Sequence, residues 1–233
     1  TNKLLNHIGL NVFFKGASIL ITLFFVPLSI KFLGKENYGT WLTLFSVIAF
    51  FNFFNFGLGH GLRNYLTKAI ADKNYKLARQ YVSTTYISVF VIGFILAIVF
   101  LISFNFINWQ FIFKVSKNDL DIFFLLIKIV AISFFINMGL KLVEIIFFAS
   151  LKPSIPGLLY LINNGLSFAI LHLLLLFNKE SLIYYGSTIV WVQLSVFLIT
   201  NVLVFSTTYK HLRPSFIYFN KFLLKALFSL GGK

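Results

Sequence analysis

Six long apolar runs separated by short polar breaks constrain this chain more than any other feature of its sequence. A helix needs about 20 predominantly apolar residues to cross roughly 30 Å of hydrocarbon. The stretches at about 9–32, 40–62, 82–106, 120–142, 156–177 and 182–206 meet that length. Their apolar residues run continuously instead of alternating, which favours helices, whose hydrogen bonds close within the segment, over barrel strands. The expected fold is all-α: a polytopic membrane protein of six transmembrane helices. Composition agrees, because 59% of residues are hydrophobic and 11% charged, whereas a soluble domain carries about 25% charged residues. The chain has no cysteine, so neither a disulfide framework nor a thiolate metal site is available.

The net charge of +14 is spread unevenly over the breaks, and the unevenness sets an orientation. Lys3, Arg63, Lys68, Lys73, Lys76, Arg79, Lys141, Lys152, Lys210, Arg213, Lys221, Lys225 and Lys233 fall on the side of the N-terminus. Lys31, Lys35, Lys114, Lys117 and Lys179 fall on the other side. Positive loops stay inside, so the N-terminus is expected in the cytoplasm. The basic character then calls for anionic membrane lipids as partners and for no nucleic acid. The segment from Arg63 to Arg79 reads as a helical cytoplasmic loop lying against anionic headgroups.

The stretch Pro27–Asn64 organises the first two spans. Pro27 sits inside the first and bends it, because proline removes a backbone donor and clashes with the preceding turn. A short polar hairpin follows, Leu33-Gly34-Lys35-Glu36-Asn37-Tyr38-Gly39, and the second span closes on Gly57-Leu58-Gly59-His60-Gly61. Gly57 and Gly61 have the GxxxG spacing that lets helix backbones approach closely in lipid. The ordered set Pro27-Leu28, Leu33-Gly34, Tyr38-Gly39, Trp41 and Gly57-Leu58-Gly59 resembles the N-terminal signature of the polysaccharide-export flippases. These are the Wzx-type O-antigen translocases of the multidrug/oligosaccharidyl-lipid/polysaccharide exporter (MOP) superfamily.

The resemblance implies that residues 1–206 form the N-terminal bundle of a two-bundle transporter. Residues 207–233 would be a basic cytoplasmic linker and the start of a seventh helix, with a second bundle of about six helices to follow. It implies a function as well: a flippase of the bacterial inner membrane. Such a protein carries a polyprenyl-diphosphate-linked oligosaccharide, an O-antigen or capsule repeat unit of lipopolysaccharide or polysaccharide biosynthesis, from the cytoplasmic to the outer leaflet by alternating access. Other polysaccharide-assembly proteins would be its neighbours. No cofactor or metal is called for. Related flippases often carry an acidic residue just before Gly-Leu-Gly; Asn55 stands there in this chain, which removes one candidate proton carrier.

A diphosphate in hydrocarbon must be paired with cations. Lys15 and Lys128 lie inside spans, about two turns from the near and far sides respectively. At a helix centre each costs roughly 2.5–3.5 kcal/mol, so each is a candidate for binding the diphosphate. Snorkelling to the interface is the competing account. Arg63, at the mouth of the second span, is a third candidate, although the positive-inside bias alone explains it. Asn52, Asn55, Asn137, Asn163, Asn164 and Gln193 would line a sugar path or bond between helices. His172 reads as a packing residue.

Two other apparent motifs carry no chemistry. The Gly57–Gly61 element lacks the GxGxxG spacing of a dinucleotide loop. Asp119 and Asp121 fall on the side away from nucleotide sugars and serve to cap the fourth helix. Three further classes remain open: a membrane polymerase or ligase acting on lipid-linked sugars, a scaffold, and a drug exporter. The polymerase would need acid, base or metal groups in an exposed pocket. The exporter would want acidic cavity residues, against the cationic bias seen here.

Overall fold

The computed structural model describes residues 2–50, 57–113 and 120–229. Among these the regular elements are all helical: α1 (Asn2–Phe50), α2 (Leu58–Ala71), α3 (Tyr75–Ser103), α4 (Trp109–Phe113), α5 (Leu120–Leu140), α6 (Leu142–Ala149), α7 (Ser154–Leu176), α8 (Leu182–Ser206) and α9 (Lys221–Ser229). Five stretches are long and apolar enough to cross a membrane: Leu4–Ile48, Tyr75–Phe106, Leu120–Ala149, Ser154–Leu176 and Leu182–Ser206.

The first of these is two segments in one. A straight helix of 49 residues would extend about 70 Å, more than twice the hydrocarbon thickness. Instead the chain reverses at Gly34, where φ is 73° and ψ is 165°, a backbone region open essentially to glycine alone. Residues from the two sides of Gly34 come together: Ser29 and Tyr38, and further out Thr22 and Phe45, line the same cleft. In a straight helix Thr22 and Phe45 would stand about 35 Å apart. The reversal thus falls inside the polar hairpin, seven residues beyond Pro27, through which the helix continues.

The expected second span divides differently from the reading at 40–62. Its first part is the returning arm of α1, and residues 51–56 lie outside the described residues. Gly57 then adopts a left-handed φ of 71° and opens α2. The Gly57–Gly61 element therefore begins a helix, α2. Arg63 to Ala71 belong to α2, which buries Leu58, Leu62, Leu66 and Ala69. A turn through Asp72–Asn74 leads into α3, whose start is capped by the Asn74 side chain accepting from the Leu77 amide at 3.0 Å.

Helices α1 and α7 share the most extensive helix pairing. His7 meets Ser154 (Nδ1 to Oγ, 2.6 Å), Asn11 abuts Gly157 and Ile21 approaches Gly165, and the Phe25 ring lies 6.2 Å from that of Phe168. Numbers rise together on both helices, so they run in the same direction. At the opposite end of the bundle from His7, the rings of Phe100, Phe104, Trp109, Phe113 and Phe123 interlock. There Trp109 Nε1 donates to the Phe104 carbonyl at 2.8 Å.

Two further features shape the end that holds the N-terminus. Between α5 and α6 the helical ladder breaks at Lys141, because the Glu144 amide donates to the Lys141 carbonyl instead of to Leu140. The Leu140 carbonyl is taken by Asn201 of α8. After α8, the expected linker is docked onto α3. The Ser215 amide donates to Ser83 Oγ at 3.2 Å and the Asn220 amide to Thr84 Oγ1 at 3.0 Å. Helix α9 follows, with Leu227 fully buried.

Candidate functional site

The first arm of α1 carries a polar stripe: His7, Asn11, Lys15, Ser18, Thr22 and Ser29. At 3.6 residues per turn these positions fall within an arc of about 80°. Ser18 and Ser29 are buried, and the stripe runs along the junction with α7 and α8.

Towards the Gly34 end, the stripe forms one wall of a cleft of about 310 Å³. Thr22 and Ser29 come from the first arm of α1, Tyr38, Trp41 and Phe45 from the second, Tyr160, Asn163, Asn164 and Ser167 from α7, and Tyr185 from α8. Tyr185 organises the floor. Its ring packs against Phe25, Phe32 and Trp41, so it touches both arms of α1. The Ser29 hydroxyl donates to the Phe25 carbonyl at 2.6 Å, which leaves Tyr185 to donate to Ser29 across 2.7 Å. The rim is open: Leu42, Phe45 and Tyr160 are 45%, 54% and 52% exposed.

Two polar atoms inside this cleft, Asn163 Oδ1 and Ser167 Oγ, are shielded yet have no protein hydrogen-bond partner. Further along the α1–α7 junction the same holds for Asn11 Oδ1 and Ser18 Oγ. Buried polar atoms are nearly always paired, so a row of unpaired ones along one junction sets that junction apart from the rest of the bundle.

The predicted cations do not all converge. Lys15 is exposed, about 10 Å along the helix axis from Thr22, within electrostatic reach of Glu144 on α6. Arg63 is also exposed, and its guanidinium lies 5.1 Å from the centre of the Phe148 ring, one turn beyond Glu144 on the same helix. Helix α6 thus carries both the carboxylate that Lys15 reaches and the ring under Arg63. Lys141 also acts on Glu144. Lys128 lies elsewhere: its Nζ sits 4.6 Å over the Phe104 ring, in the aromatic cluster at the far end.

The asparagines separate in the same way. Asn163 and Asn164 line the cleft. Asn137 is buried with an unpartnered Oδ1, but it is not on the cleft wall; Asn52 and Asn55 lie outside the described residues. Gly61 packs directly on the Leu227 backbone of α9. His172 stacks on Phe168, ring centres 6.4 Å apart.

No family model matches the chain, and no curated protein matches it either. Solved structures do. A MOP superfamily transporter from Pyrococcus furiosus, described as having a binding pocket of reversed polarity, superposes with a TM-score of 0.76 at 11% identity. The match covers 97% of this chain and 50% of that one. A multidrug resistance transporter of the MATE family in its outward-facing conformation gives 0.74 at 13% identity, over 95% and 49% of the two chains. The chain has the fold of half a MOP transporter. It spans about half the length of each of these structures, and at such identities the likeness is one of fold.

Of the residues on this stripe and cleft, the sequence singled out Lys15, Asn163 and Asn164 as candidates and passed over Ser18, Thr22, Ser29, Tyr38, Tyr160, Ser167 and Tyr185. The signal for the α1 members was present as helical spacing starting from Lys15. The aromatic members of the cleft carried none, since 19% of the chain is aromatic.

Proposed function

We propose that this chain is the N-terminal bundle of a flippase. Its cargo is a polyprenyl-diphosphate-linked oligosaccharide, moved from the cytoplasmic to the outer leaflet of a bacterial cytoplasmic membrane by alternating access. One observation carries the reading: the α1 stripe leads from Lys15 to a cleft that combines amides and hydroxyls with tyrosine and tryptophan rings. A lipid-linked sugar diphosphate has that same succession of chemistry. Its anion would lie at the lysine, and its sugar hydroxyls would meet Asn163, Asn164 and Ser167, with ring faces against Tyr38, Trp41 and Tyr160. A drug exporter for cations would want carboxylates here. Among the described residues Glu144 is the acidic group near the stripe, and Lys15 and Lys141 both act on it.

The fold supports transport of some kind, and the resemblance of Pro27–Gly59 to Wzx-type flippases supports the choice of cargo. The full-length protein would then add a second bundle, with the path between the two. With the cytoplasm negative, outward movement of the diphosphate is favoured by about 2.3 kcal/mol per charge per 100 mV.

The test is to delete the gene and determine which leaflet accumulates lipid-linked oligosaccharide. Complementation with wild type and with Lys15→Ala follows. The expected outcome is accumulation on the inner leaflet, relieved by wild type and relieved at least about ten-fold less by Lys15→Ala, the equivalent of a lost charge pairing. Single repeat units gathering on the outer leaflet would identify a polymerase or ligase instead.

A further inference from the structure

We propose that the groove between α3 and α8 binds one anionic phospholipid of the cytoplasmic leaflet, acyl chain in the groove and headgroup at Arg213. The groove is a cavity of about 540 Å³, within the roughly 300–1,000 Å³ that holds a drug-sized ligand. It is built from Tyr86, Phe90 and Phe94 of α3, Phe205 of α8 and the strap Pro214–Phe216. On the α3 side it opens onto the membrane: Phe90, Val91 and Phe94 are 39%, 51% and 67% exposed, and residues 80–113 contain no charged side chain. Such a face suits acyl chains.

The strap gives the groove a polar end. Arg79 of α3 donates from Nε to the Arg213 carbonyl at 3.0 Å and sets its guanidinium 4.1 Å over the Tyr218 ring. Together with the Ser215 bond to Ser83, this holds the strap at the end of α3. A second hollow of about 330 Å³ continues from the groove, sharing Asn201, Phe205 and Pro214 with it and adding Arg213. The groove and the hollow thus meet at Phe205 and Pro214, and the exposed residue Arg213 lines the far one.

Composition of the strap identifies the ligand. Residues 207–222 hold Lys210, Arg213 and Lys221 and no acidic residue, while Phe216, Ile217 and Phe222 are 82%, 89% and 80% exposed. Exposed aromatic and aliphatic side chains beside cations are what a segment lying in the headgroup layer presents. A guanidinium at that depth favours a negatively charged headgroup over a zwitterionic one.

The experiment uses the full-length protein in detergent, titrated with phosphatidylglycerol or with phosphatidylcholine of the same acyl chains, bound lipid being counted by native mass spectrometry. One phosphatidylglycerol is expected to be retained at concentrations where phosphatidylcholine is not. Arg213→Gln should weaken phosphatidylglycerol about five-fold, the worth of one interfacial cation, and leave phosphatidylcholine unchanged. It spares the strap, because Arg79 holds the backbone of residue 213 and not its side chain. Val91→Trp, which fills the groove, should weaken both lipids. Equal retention of the two lipids by wild type would overturn the proposal, as would an Arg213→Gln protein that still prefers phosphatidylglycerol. Displacement by glycerol phosphate alone would reduce the site to a bare anion site and overturn it too. The readout involves no oligosaccharide, so it stands or falls separately from the flippase reading.

Discussion

Asn201 and Asn163 both hold an amide inside a membrane-length helix, and the bundle treats them in opposite ways. The Asn201 oxygen accepts from the Tyr86 hydroxyl at 2.9 Å, and its nitrogen donates to the carbonyls of Leu140 and Phe197, both at 2.8 Å. That one side chain ties α3 to α8 and satisfies the carbonyl orphaned where α5 breaks into α6. The Asn163 oxygen is equally shielded, yet no protein group pairs with it, and beside it Ser167 Oγ is in the same condition. A satisfied amide in hydrocarbon is a structural fastening. An unsatisfied one at the wall of an open cleft costs free energy, and under the proposed function a sugar hydroxyl would supply the missing bond.

The comparison is sharpest where it predicts the largest loss. Asn201→Ala strands the Leu140 carbonyl and the Tyr86 hydroxyl in a buried site. Its expected cost is about 2 kcal/mol, read as an earlier midpoint when the purified protein is unfolded in sodium dodecyl sulfate. Asn201→Asp should do no better, since a carboxylate lacks the two donors that Leu140 and Phe197 take. A wild-type midpoint for Asn201→Ala would mean that the break at Lys141 does not depend on this amide.

Tyr185→Phe probes the boundary between the two regions, because Tyr185 is both a fastening and part of the cleft. The substitution keeps the ring that packs on Phe25, Phe32 and Trp41. It removes the bond to Ser29, which still donates to the Phe25 carbonyl. The expected loss is about 0.6 kcal/mol, the average for a bond between helices in a membrane protein. A loss as large as that of Asn201→Ala would place the Tyr185 hydroxyl with the fastenings.

The difference between the two asparagines could not be read from the sequence, although much of the frame could. The runs at 156–177 and 182–206 coincide closely with α7 and α8, because length and apolar content decide a membrane helix and Ser181 marks the start of α8 by capping the Tyr184 amide at 3.3 Å. The reversal at Gly34 lies inside the hairpin read from Leu33–Gly39 for a similar reason: only glycine takes that backbone conformation. The break at Lys141 gave no such sign, since the apolar run continues through Leu142–Ala149 and what stabilises it is an amide 61 residues away in the chain. Asn163, Asn164 and Asn137 looked alike as isolated polar residues, and Asn201 drew no notice at all. Whether an amide is paired depends on which neighbouring helix it faces, and periodicity within one helix does not contain that information.

Asn163→Leu is the smallest change in stability and the most discriminating one. Leucine has the same four side-chain heavy atoms branched at Cγ as asparagine, the cleft of about 310 Å³ has room for its larger methyl groups, and the oxygen removed has no protein partner to strand. The unfolding midpoint is therefore expected to stay within about 0.5 kcal/mol of wild type, or to rise slightly as an unpaired buried oxygen is lost. Under the proposed function, movement of lipid-linked oligosaccharide between leaflets should nevertheless fall by about ten-fold, because a site that bonds a hydroxyl loses that bond entirely when the amide is replaced. Stability and transport falling together would make Asn163 a packing residue like Asn201, and the contrast between the two regions would collapse. An unchanged midpoint with impaired transport would separate them by function, since no account based on packing alone moves one quantity without the other.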